Sequence, residues 1–432
     1  MFKRGFFALY LCALFTTHCV ADAKSGSAKA LIVNAQSDAY KAFLHLSVIE
    51  DANHELDLSQ ARQLLRAGTG DSGFRQIPGY GPTNSVYWGR FVVDASLSPG
   101  DYVLNMALPR MTSVDLFLPD GTLIAGGTKV PFQERMIRSS QIAFPLRIEA
   151  GAPAEYMLKV SSQSSMIQWP LFLYTPEGWT RAEQGRIWLN ALYLGLGIGL
   201  LGYNLFLTAA LRSLSYLYYS LLIVFFVIAN MDLRGVATEF LWESNCDWNL
   251  ISLLTWIHLT PLVALPLARR FLRIDSRQPW LLRIIYGLFA WEALLLAASL
   301  GQLIYGQQIW LIFFDAVTFI ALPAFLFVAG LLRWRDGFGP AIYFVMAWAA
   351  LLVAIIVNGL VVVGALPYFQ WMRDLLLLGS SMEMILLSIA LANRFRYSER
   401  ERDRLAAMSE ARNGFLRTMS HDMRTPLASI VG

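Results

Sequence analysis

A chain of 432 residues that is 56% hydrophobic and only 15% charged is too apolar for an ordinary soluble enzyme, so lipid must be part of its solvent. Its net charge of +4 does not suggest nucleic-acid binding, and the placement of the arginines matters more than their sum.

The N-terminus reads as an export signal. Lys3 and Arg4 form a positive n-region, Gly5 to Phe15 an apolar core, and Ala21-Asp22-Ala23 a small-x-small cleavage site. A cleaved signal peptide over 1–23 is expected, with an uncleaved anchor as the alternative. A lipoprotein signal is disfavoured because bulky His18 precedes Cys19. Cleavage removes Cys12 and Cys19 and leaves Cys246 alone, so the exported region must rest on its core rather than on cross-links.

Residues 24–180 carry short β-rich runs separated by turn chemistry, the pattern of an antiparallel sandwich large enough to bury its own core. The runs are 85–93, 101–107, 113–118, 142–146, 155–161 and 167–174. In the third, Val114, Leu116 and Leu118 alternate with Asp115 and Phe117, which makes one face core, and Pro119-Asp120-Gly121 then reverses the chain.

The composition changes at Arg186. Over 181–392, long apolar runs can each cross about 30 Å of hydrocarbon as a helix of about 20 residues. Seven are expected, at 187–211, 214–231, 250–268, 284–300, 309–332, 341–366 and 375–392. Arg212, Arg269, Arg270, Arg273, Arg277, Arg283, Arg333, Arg335 and the arginine-rich stretch from Arg394 fall on one side, whereas the opposite loops carry little beyond Arg234 and Arg373. Positive residues stay inside, which puts the C-terminus in the cytoplasm and the β domain outside, across a bacterial inner membrane. Inside the spans lie His258, Glu292, Asp315 and Glu383, with Asn204, Asn230 and Asn358. Such groups serve either as interhelical hydrogen-bond pairs or neutral carboxylic acids, the reading favoured here, or as a proton or ion pathway. A transporter reading lacks the paired repeats with broken helices that would support it. Gly195 and Gly199, one turn apart, would permit close backbone approach.

The densest motif is Phe415-Leu416-Arg417-Thr418-Met419-Ser420-His421-Asp422-Met423-Arg424-Thr425-Pro426-Leu427. It resembles the H-box of the dimerisation and phosphotransfer domain of histidine kinases. A neutral imidazole nitrogen is available near pH 7 to attack the γ-phosphate of ATP, and a neighbouring carboxylate can orient the ring or take its proton. The resemblance makes His421 the phosphoacceptor, Asp422 the base or orienter, and Thr425 the residue that positions water for dephosphorylation of a response regulator. Pro426 should bend the helix just beyond. A serine triad is excluded, since Ser420, His421 and Asp422 are consecutive and diverge around a helix. Upstream, 393–412 is charged with sparse apolar positions and looks like a helix continuing from the seventh span into a homodimer, with 413–432 beginning the phosphoacceptor domain.

A second resemblance covers most of the rest. Gly202-Tyr203-Asn204-Leu205-Phe206-Leu207, Ser215-Tyr216-Leu217-Tyr218-Tyr219 and Glu239-Phe240-Leu241-Trp242 are similar to the membrane region of the bacterial seven-transmembrane receptors with diverse intracellular signalling modules. Val86-Tyr87-Trp88, Arg90-Phe91, Val114-Asp115-Leu116-Phe117-Leu118, Gly126-Gly127 and Arg135 resemble that family's larger extracellular domain, a jelly-roll sandwich for carbohydrate-like ligands. The fold implied is an all-β jelly roll, a seven-helix bundle and a cytoplasmic helix entering the phosphotransfer domain. Tyr87, Trp88, Arg90, Arg135 and Arg138 then become candidate ligand contacts, since aromatic faces stack on sugars and arginine grips carboxylates; a core role is favoured for Trp88. The function implied is a sensor histidine kinase, with a non-enzymatic carbohydrate-binding receptor as the alternative. Its partners would be a response-regulator receiver domain, a second copy of the chain and membrane lipid, with no nucleic acid and no metal. No ATP-binding box follows His421 in this sequence, so ATP and Mg2+ are expected to enter only through a catalytic domain that this polypeptide lacks.

Overall fold

The computed structural model describes residues 24–25, 28–162, 166–276, 278–306, 309–362, 366, 372 and 374–431; the expected signal peptide falls outside them. The N-terminal part contains β1 (Lys24–Ser25), β2 (Leu31–Ile32), β3 (Ala39–Tyr40), β4 (Leu46–Asp51), α1 (Leu58–Arg66), β5 (Asp71–Ser72), β6 (Gly79–Gly81), β7 (Val86–Asp94), β8 (Gly100–Met106), β9 (Ser113–Phe117), β10 (Leu123–Gly126), β11 (Ile142–Ile148), β12 (Ala154–Ser161), β13 (Ile167–Gln168) and β14 (Leu171–Tyr174). The larger sheet runs β1-β5-β4-β7-β12-β9-β10 with β2 parallel to β7, and the smaller runs β11-β8-β14-β3.

The period of two fixes which side chains fill the sandwich. Tyr87, Phe91 and Val93 of β7 face the core with Leu116, Leu158, Leu104 and Phe144. The intervening Val86 and Trp88 face outward, where Ala61 and Leu65 of α1 cover them. That helix is short, but Asp57 and Gln60 close a capping box at its start, satisfying two otherwise orphaned N–H groups. The β9–β10 hairpin forms where Pro119-Asp120-Gly121 predicts it. The expected strand 167–174, by contrast, is split at Trp169-Pro170. Pro170 has no N–H for a ladder, and the Trp169 N–H donates to the Pro78 carbonyl at 2.9 Å. The Trp169 ring fills the core against Gly89, where an added Cβ would come within 2.6 Å of it.

The helices that follow are α2 (Pro176–Leu211), α3 (Leu214–Leu233), α4 (Val236–Phe240), α5 (Cys246–Phe271), α6 (Pro279–Tyr305), α7 (Ile309–Arg335), α8 (Ala341–Val362) and α9 (Leu375–Val431). All but the short α4 are long and apolar enough to cross a membrane, giving seven spans. The expected boundary at 180/181 lies inside α2, which begins at Pro176 because Thr175 caps it through the Gly178 N–H at 3.1 Å and proline suits the first turn. Gly195 and Gly199 do not provide the close approach expected of them. Nothing lies within 4 Å of a Cβ built on either, and it is Gly197 that packs against Val227 of α3.

The expected seventh span, linker and phosphoacceptor segments form a single helix of 57 residues. It continues through Pro426, so the helix does not end there despite the missing N–H.

Candidate functional site

With an odd number of spans, the β domain sits at one end of the bundle and the continuation of α9 leaves from the other. The joint between domain and bundle is built on charge. Arg110, in the loop between β8 and β9, reaches the carboxylate of Asp232 in the last turn of α3, and it also bonds the Asn249 backbone carbonyl at the start of α5. The Asn249 Oδ1 accepts from Arg110 at 3.3 Å and from the Thr238 hydroxyl at 2.9 Å, so α3, α4 and α5 converge on one guanidinium. Arg110 is 4% exposed and Asp232 0%, which takes this pair out of the weak class of surface salt bridges.

The chain just after Asp232 explains how the loop comes so near. Gly235 adopts φ +78, and a Cβ there would lie 2.2 Å from the Ser140 carbonyl oxygen and 2.8 Å from Pro109. Only glycine allows both the left-handed turn and the contact. Nearby, the Ser139 hydroxyl donates to Glu183 of α2 at 2.7 Å, and the Phe132 N–H donates to the Glu243 carbonyl at 3.2 Å.

Beside this seam lies a cavity of ≈ 220 Å³ whose polar lining includes Gln141, Gln168, Arg186, Asn190, Arg234 and Asn358. Arg234 bonds Asn190 and, at 2.8 Å, Asp374, while Arg186 pairs with Glu183 and lies 4.7 Å from the centre of the Trp179 ring. Amide and guanidinium donors converge from both the β domain and the bundle, a lining suited to a small polar ligand.

A second polar cluster is buried inside the bundle. His258 of α5 stands between Glu292 of α6 and Asp315 of α7, with each ring nitrogen 2.9 Å from a carboxylate oxygen. Each contact needs one proton, supplied either by a doubly protonated ring or by one protonated carboxyl, so the cluster ties three spans together through shared protons. This is the interhelical pairing favoured from sequence. Glu383 is fully buried, and neither carboxyl oxygen has a hydrogen-bond partner among the described residues. No group of three or more His, Cys, Asp or Glu side chains among the described residues is arranged to hold a metal ion.

The five candidate ligand residues do not form one surface. Tyr87 stacks on Tyr80, ring centres 4.4 Å apart, inside the sandwich, and burial raises both phenols well above the ordinary tyrosine range. Trp88 points the opposite way, stacked on Phe117 beneath α1, and so has the core role favoured for it. Arg90 is held by Glu155 on that outer face. Arg135 lies in another region beneath the Phe132 ring, with burial lowering its pKa, and Arg138 is exposed. His421, Asp422 and Thr425 lie on α9, but their side chains are outside the described residues.

Residues 186–394 match the family model described as "7TM diverse intracellular signalling", and residues 44–175 match the one described as "7TMR-DISM extracellular 2". The chain belongs to the 7TMR-DISM receptors. No curated protein matches it significantly. As a 7TMR-DISM receptor it is a multi-pass membrane sensor with intracellular signalling, and the Arg110–Asp232 seam joins its two matched regions. Sequence reasoning missed that seam. Arg110 reads as an ordinary loop arginine and Asp232 as the polar end of a span; the available signal was the apolar flank of Arg110, Leu108-Pro109 before it and Met111 after. The His421 motif lies outside both matched ranges.

Proposed function

We propose that this receptor is the sensing and membrane half of a histidine kinase in a two-component relay, with the β domain outside the cell and the arginine-rich end of the bundle in the cytoplasm. The observation that carries the reading is α9, one helix that begins in the bundle core at Leu377 and Met384 and extends through the His421 motif. A displacement of the seventh span therefore has no loop in which to dissipate before it reaches the phosphoacceptor. Leu405, Met408, Phe415 and Met419 are exposed on the cytoplasmic part of the helix at steps of three, seven and four, the spacing of a helix-pairing seam interrupted by Arg412. A second copy of the chain is the partner that would cover it.

In the proposed chemistry, a neutral nitrogen of His421 attacks the γ-phosphorus of ATP supplied by a catalytic domain. The new N–P bond replaces the bond to ADP, ADP leaves, and Asp422 takes the ring proton. The phosphoryl group then passes to a receiver-domain aspartate, with Thr425 positioning water for its later removal. Ligand binding in the β domain or at its seam with the bundle would bias the equilibrium through Arg110 and Asp232.

The test is acid-labile phosphate. With the ATP-binding domain of a histidine kinase supplied, radiolabelled ATP should label the receptor, and His421→Gln should abolish the label while leaving membrane insertion intact. Undiminished acid-labile labelling of His421→Gln would sink the proposal.

A further inference from the structure

At the end of the bundle away from the β domain, α5 finishes with Arg269 and Arg270 in its last turn, and Arg273 follows in left-handed backbone at φ +52. A cavity of ≈ 590 Å³ opens there between α3, α5 and α6, lined by these three arginines together with Tyr218, Tyr286 and Phe289. Asp275 is the acidic residue of the lining, so the charges present sum to a positive site.

Two of the arginines are positioned but not neutralised. The Arg269 guanidinium lies 5.4 Å from the centre of the Tyr286 ring and that of Arg270 lies 5.5 Å from the centre of the Tyr218 ring. Ring contact fixes a guanidinium plane while leaving its edge N–H groups available. Neither arginine has an ion-pair partner among the described residues, although Arg273, in the same cavity, bonds Glu401 at 2.9 Å and Ser398 at 3.0 Å on α9. The α6 wall of the cavity is apolar: Ile285 is buried, whereas Tyr286 and Phe289 are exposed on the bundle surface, where lipid would cover them. Arginine edges at the headgroup level above an apolar, bilayer-facing wall match a ligand with an anionic head and a hydrocarbon body.

We propose that this cavity holds the phosphate of an anionic phospholipid, gripped by Arg269 and Arg270, with its acyl chain along Tyr286 and Phe289. Guanidinium forks bind phosphate oxygens by paired charge-assisted hydrogen bonds, and each arginine near a membrane surface adds to the attraction of anionic lipid. The site is also linked to the output helix. Arg273 can serve either the headgroup or Glu401, so lipid occupancy competes with the contact that fastens the bundle to the first turns of α9 beyond the membrane.

The experiment uses the full receptor in phosphatidylcholine nanodiscs with and without phosphatidylglycerol, reading co-purified lipid by native mass spectrometry. Phosphatidylglycerol should be retained selectively. Arg269→Gln/Arg270→Gln should weaken retention about tenfold or more, while Arg335→Gln, an exposed arginine elsewhere on the same end, should leave it unchanged. Equal retention by the double variant would overturn the proposal, as would inorganic phosphate displacing the lipid at millimolar concentration, which would make the site one for a free anion. If the double variant does not fold, a photo-crosslinking residue in place of Tyr286, with all arginines intact, should capture phosphatidylglycerol over phosphatidylcholine; capture without preference between the two lipids contradicts the assignment.

Discussion

The guanidinium of Arg110, on a loop of the β domain, is bonded to the carboxylate of Asp232 at the end of α3, and both side chains are withdrawn from solvent. Removing one member of such a pair leaves an uncompensated buried charge, whereas removing both does not. Arg110→Met should therefore destabilise the purified receptor by about 3–5 kcal/mol, and Arg110→Met/Asp232→Leu should recover most of that loss. Thermal unfolding in detergent measures both. Equal stability of Arg110→Met and wild type would show that the seam does not hold the domains together.

The His258 cluster separates a structural knot from an ion route. His258→Leu removes the shared partner of Glu292 and Asp315 inside the bundle and should cost more than about 3 kcal/mol. Replacing all three residues with leucine should restore a folded receptor, because well-packed apolar side chains often substitute for a buried ionic group without loss. Restored folding with unaltered signalling supports the knot; restored folding with signalling or cation flux abolished would return the ion pathway.

Acid should act through Glu155. Burial alone would raise its pKa, but hydrogen bonds from Arg66 and Arg90, and their charges, outweigh that effect and hold the carboxyl below its ordinary value of 4.5. A carboxyl lowered on folding stabilises the protein above its unfolded pKa, and that stabilisation is lost as pH falls through the folded one. Glu155→Gln should consequently lower the unfolding midpoint of the β domain at neutral pH, and the gap to wild type should close as pH falls through the carboxyl's lowered folded-state pKa. A gap unchanged at low pH would mean that charge is not what Glu155 contributes.

What the sequence made legible follows from which forces are local. Alternation in 113–118 and the Pro119-Asp120-Gly121 turn state a strand and its reversal directly, and long apolar runs state the spans. Pro170 was present in the sequence, but the split of 167–174 depends on Trp169 finding space over Gly89, a contact between distant residues. The same limit hid the seam, since Arg110 and Asp232 are separated by the whole of β9 to α2, and nothing near either one names the other. His258, Glu292 and Asp315 were visible as costly intramembrane groups, and only the packing of α5, α6 and α7 shows that they meet.

The most direct test of the account is whether the part of α9 beyond the bundle pairs with a second copy and answers to the β-domain seam. In native membranes, Met408→Cys should form an intersubunit disulfide readily, whereas Asp403→Cys, off the apolar seam, should not. Adding Arg110→Met should change the rate at Met408→Cys without changing receptor abundance. Equal cross-linking at both positions, or a Met408→Cys rate indifferent to Arg110→Met, would contradict the claim that one continuous helix carries the seam's state to a paired phosphoacceptor.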